Sequence, residues 1–273
     1  MLNSDLRDFS KRDMKGNWFM AVVMTIVLAI INSILNQIFS RVMPGVPPTQ
    51  EMLGVNQYPL DMANSFNLGN VFNLGLIGTA LGTLFSLGYT WGFLDLVDQA
   101  HELENPKLKI EYIFGALNKK FLRNLLAMVL KSIIIFLGFL LLIVPGILLS
   151  FMLIPLDYLL KDKPDLPFFD YFKESSRLMF GNKGKYFSLI LPYLLAMLAI
   201  VFIPLVAIVA SIVRETLNPG VFIGASLLYL PILAILGFYF SIKIQILTAE
   251  FYGRHLVPRS NYSEYENEVY DYN

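Results

Sequence analysis

Lys131, Asp157, Lys243 and Glu250 are ionisable residues inside or at the edge of long apolar runs. A charge at mid-bilayer costs about 2.5–3.5 kcal/mol on insertion scales, so such a residue pairs, lines a cavity or snorkels to the surface. Lys131 and Lys243 each lie about two turns from the basic end of their run, within snorkelling reach. Two readings are open: solvated lysines near the membrane edge, or a buried polar cluster joining them to Asp157, Asp95 or Glu250. Tyr239, Lys243 and Glu250 recur at helical spacing and share a face.

Asp95, Asp98, His101 and Glu102 form a second constellation, at i, i+3, i+6 and i+7 of one helix. Carboxylates and an imidazole on one face are donor types for a divalent cation or a proton relay. They are equally what a span carries where it leaves the bilayer, and His255 reads as an interfacial residue. Catalytic spacings are missing: there is no HExxH, no GxSxG elbow, no phosphate-cradling Walker loop and no paired-aspartate signature. The chain has no cysteine, which excludes disulfides, thiolate catalysis and cysteine-ligated metals. The sequence thus predicts a non-enzyme without cofactor or metal.

The elements that position these residues follow from composition. Hydrophobic residues make up 56% of the chain and charged residues 15%, too apolar a balance for a soluble core of this length. A spanning helix needs about 20 mostly apolar residues, and six runs qualify, at roughly 18–39, 70–98, 124–144, 146–161, 186–212 and 221–250. The third and fourth are continuous. They make two crossings only if the chain reverses near Pro145 and Gly146, where proline breaks the hydrogen-bond ladder and glycine allows a tight turn. A reentrant hairpin fits the same pattern.

Orientation is written in charge. Of 21 basic residues, 17 fall in four short stretches: Arg7 to Lys15, Lys107 to Arg123, Lys161 to Lys185, and Arg254 with Arg259. Only Arg41 and Arg214 occupy the alternate connections. Because short Lys- and Arg-rich loops stay on the cytoplasmic side, both termini are expected inside. The first run is longer than a signal-peptide core and lacks a small-x-small cleavage site, so it reads as an uncleaved span. The predicted fold is an all-α polytopic bundle of six spans in a single domain over 1–258, with short interfacial helices and an acidic, Tyr-rich tail over 259–273 expected to be disordered. Zero net charge gives no footprint for nucleic acid.

The cytoplasmic stretches resemble one another. "FSKRDMKGNWFMAVV", "LNKKFLRNLLAMVL" and "SSRLMFGNKGKYFSLIL" each lead a basic, amphipathic segment into an apolar run through Asn17, Asn124 or Asn182. This suggests a weak threefold repeat of interfacial helix plus hairpin. The segment 166–180 shows the amphipathic spacing best, with Phe168, Phe169, Phe172 and Met179 apolar against Lys173, Glu174 and Arg177. Such a helix is expected in the headgroup plane, its cations toward anionic lipid.

"MKGNW" at 14–18, "VPGI" at 144–147, Asp162 with Pro164, "SRLMFGNK" at 176–183, and Thr248, Ala249, Phe251 and Tyr252 resemble the bacterial integral-membrane family known as domain of unknown function 975. The resemblance implies a six-span protein of Gram-positive cell membranes, distantly similar to the membrane domain of some glycerophosphodiester phosphodiesterases, whose soluble catalytic domain has no counterpart here. Phe180 departs from the family pattern, in which Lys is commoner. No activity follows from the resemblance.

Small residues on the second run, among them Gly78, Gly82, Gly88 and Gly92, have GxxxG spacing and are expected to pack within the monomer or to form a dimer seam. Pro192, Pro204 and Pro231 interrupt the last two runs, either shaping the bundle or flanking a site. The external loop 40–69 is long enough to bind a partner. Two functions remain: a non-enzymatic cell-membrane component supporting envelope or export machinery, with lipid headgroups and other membrane proteins as partners, or a small transporter or lipid-handling protein.

Overall fold

The computed structural model describes residues 2–42, 76–103, 105–213 and 219–257. Most of the loop 40–69, expected outside, and the whole tail 259–273 therefore lie outside the described residues. The described chain is helical, without strands: α1 (Asn3–Asp13), α2 (Trp18–Val42), α3 (Leu76–Glu102), a 3-10 turn (Ile110–Phe114), α4 (Phe121–Leu141), α5 (Ile143–Met152), α6 (Ile154–Asp162), α7 (Asp170–Met179), α8 (Lys183–Val213), α9 (Pro219–Glu250) and a π-helical turn (Phe251–Leu256).

Among the described residues, five segments are long and apolar enough to cross a membrane: Trp18–Leu35, Phe121–Leu141, Ile143–Asp162, Lys183–Ile200 and Pro231–Leu256. Their surfaces say what surrounds them. On α2, Phe19, Val22, Ile26, Ile30, Ile34 and Ile38 recur every three or four residues as an exposed stripe, and α4 carries another through Leu122, Leu126, Val129, Ile133 and Phe136. Apolar faces this long far exceed the patches that soluble monomers show to water. They are the faces a bilayer covers, so the chain is a multi-pass membrane protein.

The second run behaves differently. From Leu84 to Val97, α3 is largely buried, packed among α2, α4, α6, α9 and the 3-10 turn. Its glycines make this possible. A Cβ at Gly88 would collide with the Ile113 carbonyl, one at Gly82 with the Asn32 carboxamide, and one at Gly92 with Tyr112 and Met24. The small-residue stripe is filled from within the chain by α2 and by the 3-10 turn folding back along α3. The surroundings of Gly78 lie outside the described residues.

The hairpin between the third and fourth runs turns earlier than the sequence suggests. The reversal falls on Leu142, the single extended residue between α4 and α5 (φ −165°, ψ 155°). Pro145 and Gly146 already belong to the first turn of the returning helix, where proline's missing N–H is harmless. Gly146 provides the close approach. Its Cα lies 3.0 Å from where a Cβ on Gly138 would stand, and a Cβ of its own would run into the Phe139 ring. The tip, Leu140 to Val144, is 65–75% exposed and wholly apolar.

Two of the three similar stretches share a local turn. Leu6, Ser10, Met14, Gly16 and Asn17 stand in the same spacing as Tyr171, Ser175, Met179, Gly181 and Asn182. In both, the first three are buried, along the short helix and at its C-terminal end. In both, the glycine takes a positive φ (83° and 79°) and the asparagine N–H donates to the methionine carbonyl (3.0 and 3.1 Å) before the long helix begins. The Asn124 copy has no such turn. Its carboxamide instead donates to the Ala116 carbonyl at 3.2 Å.

Candidate polar sites within the bundle

All four basic stretches meet at one end of the bundle. The first joins the second through Asn17, which donates to the Pro106 carbonyl (2.8 Å) and accepts from the Leu108 N–H (2.9 Å). The second joins the third through Lys120 and Arg123, both donating to the Pro164 carbonyl, Lys120 also pairing with Asp165. Lys185 lies 3.4 Å from His255 Nδ1, joining the third to the fourth. The first and last close the ring: Arg254 donates to Asp13 (2.7 Å) and to Glu250, while Arg12 reaches Asp13 at 3.0 Å. Phe9 lies beneath both guanidinium groups, 4.9 Å from Arg12 and 4.4 Å from Arg254. Asp13 and Glu250 are buried, so this clasp ties the first helix to the last turn inside the protein.

Helix α7 is anchored into this collar by a face of which the amphipathic reading held only Met179, expected toward lipid and buried in the protein instead. Tyr171, Ser175 and Met179 point inward: Tyr171 donates to the Lys163 carbonyl (2.6 Å) and accepts from Arg123 (2.9 Å), and Ser175 donates to the Met152 carbonyl (2.8 Å). Phe168 and Phe172 pack partly against the core, whereas Phe169 and Phe180 at the two ends are 75% and 82% exposed. Arg177 makes a two-point contact with Glu174 (both 2.7 Å), and Lys163 adds a second cation at 3.3 Å. Partial burial pushes the Glu174 carboxyl up, but these two cations together outweigh it and hold it below its ordinary range. Lys120 likewise lowers Asp165, which is fully solvated. Burial raises the Tyr171 phenol against the pull of Arg123.

Lys131, Asp157, Lys243 and Glu250 do not form one cluster. Lys131 and Asp157 meet directly, the ammonium contacting both carboxylate oxygens at 2.6 and 2.7 Å. Lys243 goes elsewhere, its ammonium 4.8 Å from the centre of the Trp18 ring, which in turn stacks on Tyr239 at 5.4 Å. That geometry is a cation–π contact. Glu250 belongs to the clasp with Arg254.

The Asp95, Asp98, His101, Glu102 series also splits. Asp95 pairs with Lys161, whose ammonium also donates to the Trp91 carbonyl at 3.3 Å. Asp98 is half-buried one turn further along α3, and the side chains of His101 and Glu102 lie outside the described residues. Among the described residues no three His, Cys, Asp or Glu side chains converge as metal ligands.

Around the Lys131–Asp157 pair the helices leave a niche of about 200 Å³ between α3, α4 and α6. Thr83, Ser86 and Thr90 line it from α3, Lys131 and Ser132 from α4, and Asp157 from α6, with Leu87, Met128 and Ile135 completing an apolar wall. Asp157 is fixed from behind, its carbonyl accepting from the Trp91 indole at 2.7 Å. Thr90 is fixed by Gln245 of α9, which donates to its hydroxyl at 2.7 Å. Sequence reasoning found the two charges and missed the hydroxyls. Thr83, Ser86 and Thr90 do follow three- and four-residue spacing, the signal that could have found them.

Residues 1–149 match the family described as Protein of unknown function (DUF975). The chain belongs to that family. The matched region runs from α1 into α5 and so includes the first Gly-Asn turn, the glycine stripe of α3 and Lys131. Asp157, the α7 turn and the Glu250–Arg254 part of the clasp lie beyond it. No curated protein and no solved structure matches the chain.

Proposed function

We propose that this is a non-enzymatic component of the cell membrane whose charged collar faces the cytoplasm and docks envelope or export machinery. The reading rests on one observation: Phe169 and Phe180 stand 75% and 82% exposed at the two ends of a helix that Tyr171, Ser175 and Met179 clamp in place. A fixed helix that displays large aromatics beside Lys173, Lys183 and Lys185 is a preorganised contact surface at the headgroup level, where anionic lipid and the membrane-proximal parts of other proteins both meet it. Gathering the four basic stretches at one end supports a cytoplasmic placement for that end. In this reading α3 is a sixth span, screened from lipid by its neighbours, and the host is a Gram-positive bacterium.

A photocrosslinking amino acid placed at Phe169 or Phe180 of the full chain, in cells, tests the reading. Recurring adducts with membrane subunits of envelope-assembly or export complexes are expected. Adducts with lipid alone would refute it. A lipid-handling or transport role is the second reading, favoured by the niche around Lys131 and Asp157.

A further inference from the structure

The geometry points to the niche between α3, α4 and α6 as a binding site for a neutral polyol group, such as the glycerol or single-sugar head of an uncharged membrane lipid. The inference deepens the lipid-handling reading and is independent of the collar. Failure of partner capture at Phe169 leaves it standing, and its own failure leaves the collar standing.

Position comes first. Lys131 lies eight residues past Arg123 on α4, about 12 Å deeper along the helix at 1.5 Å per residue. Neighbouring side chains on the same helix, Val129, Ile133 and Phe136, are exposed as lipid-facing residues are. At this depth the side chains of Lys131 and Asp157 keep 16% and 23% of their surface open. An ion pair left partly open beside hydrocarbon is unfavourable unless a polar group covers it.

The charge balance then selects the ligand. Lys131 is already neutralised by the two-point contact with Asp157, so the niche carries no net charge and an anionic head would meet the carboxylate without a free cation to offset it. A zwitterionic head would have to pry the pair apart. What the niche offers is mixed. An ammonium has three N–H donors, of which Asp157 takes two, while each carboxylate oxygen retains an accepting lone pair. Ser86 Oγ has no hydrogen-bond partner among the described residues and both donates and accepts. Thr90 and Ser132 are already committed, donating to the Ser86 and Met128 carbonyls at 3.0 and 2.9 Å. A donor, an acceptor and a hydroxyl that is both match a vicinal diol, whose hydroxyls accept from the ammonium and donate to the carboxylate. The volume of about 200 Å³ equals that of six or seven liquid waters at ~30 Å³ each, room for a glycerol or one sugar ring.

The test uses the full chain in phosphatidylcholine nanodiscs with a diacylglycerol and a monoglucosyl diacylglycerol that carry a photoreactive group beside the head. Adducts should map to residues 83–90 and 128–135 and be competed by unlabelled neutral glycolipid, but not by phosphatidic acid. Ser86→Ala leaves the ion pair intact and should cut labelling at least fivefold. Asp157→Asn should cut it at least tenfold, in protein that still elutes as a single species. Competition by free glucose as strong as by the glycolipid would retain the polyol chemistry and assign the site to a water-soluble ligand. Labelling spread evenly over the bundle, insensitivity to Ser86→Ala, or equal competition by phosphatidic acid would overturn the proposal.

Discussion

At the scale of single residues, burial and pairing separate side chains that composition treats alike. Asp157→Asn leaves the Lys131 ammonium without its counter-charge. Breaking one side of a fully buried pair costs about 3–5 kcal/mol, and the partial exposure of this pair brings the expected loss nearer ~2 kcal/mol. The double variant Lys131→Met/Asp157→Leu should recover most of that loss, since two apolar groups leave no orphaned charge. Thermal unfolding in detergent, read by size-exclusion elution, checks both. Glycines sort in the same way. Gly88→Ala must push against the Ile113 backbone carbonyl and should abolish the folded species, whereas a Cβ at Gly184 or Gly237 meets open space. Gly184→Ala and Gly237→Ala should be neutral or slightly stabilising in the same assay.

At the scale of elements, the two Gly-Asn turns decide how a short buried helix feeds a long one. Gly16 and Gly181 have room for a Cβ, so alanine there adds only backbone strain, about 1–2 kcal/mol. Gly16→Ala and Gly181→Ala should lower stability by similar amounts, and unequal losses in unfolding midpoint would break the equivalence of the two copies. The asparagines were legible in the sequence because each interrupts the same kind of boundary. The buried face of α7 was not, because Tyr171 and Ser175 are polar by type and become core only through their bonds to Lys163 and Met152. The hairpin tip makes a further prediction. Five consecutive exposed apolar residues belong in hydrocarbon, so a cysteine at Leu142 should resist membrane-impermeant maleimide from both sides. Ready labelling from outside would put the tip in water.

At the scale of the whole molecule, the apolar runs and the basic stretches were enough to foretell an all-helical membrane bundle, because bilayer thickness and charge retention act on the sequence locally. How the runs pack was hidden. The glycines of α3 marked it for close packing, but not as the central helix, since its apolar residues look the same whether lipid or protein covers them. The Asp13–Arg254 clasp joins residues 241 apart, and both come from charge-rich segments where every ion looks solvated. The Lys131–Asp157 pair was legible for the opposite reason: each partner interrupts an apolar run.

The central proposal is that the face the four basic stretches share is cytoplasmic. A chain without native cysteine allows a direct measurement, with single cysteines at Lys107, Lys119, Lys173 and Lys183 probed by impermeant maleimide in intact cells and in inverted vesicles. All four should react only in inverted vesicles. Reaction of any one of them in intact cells would contradict the account.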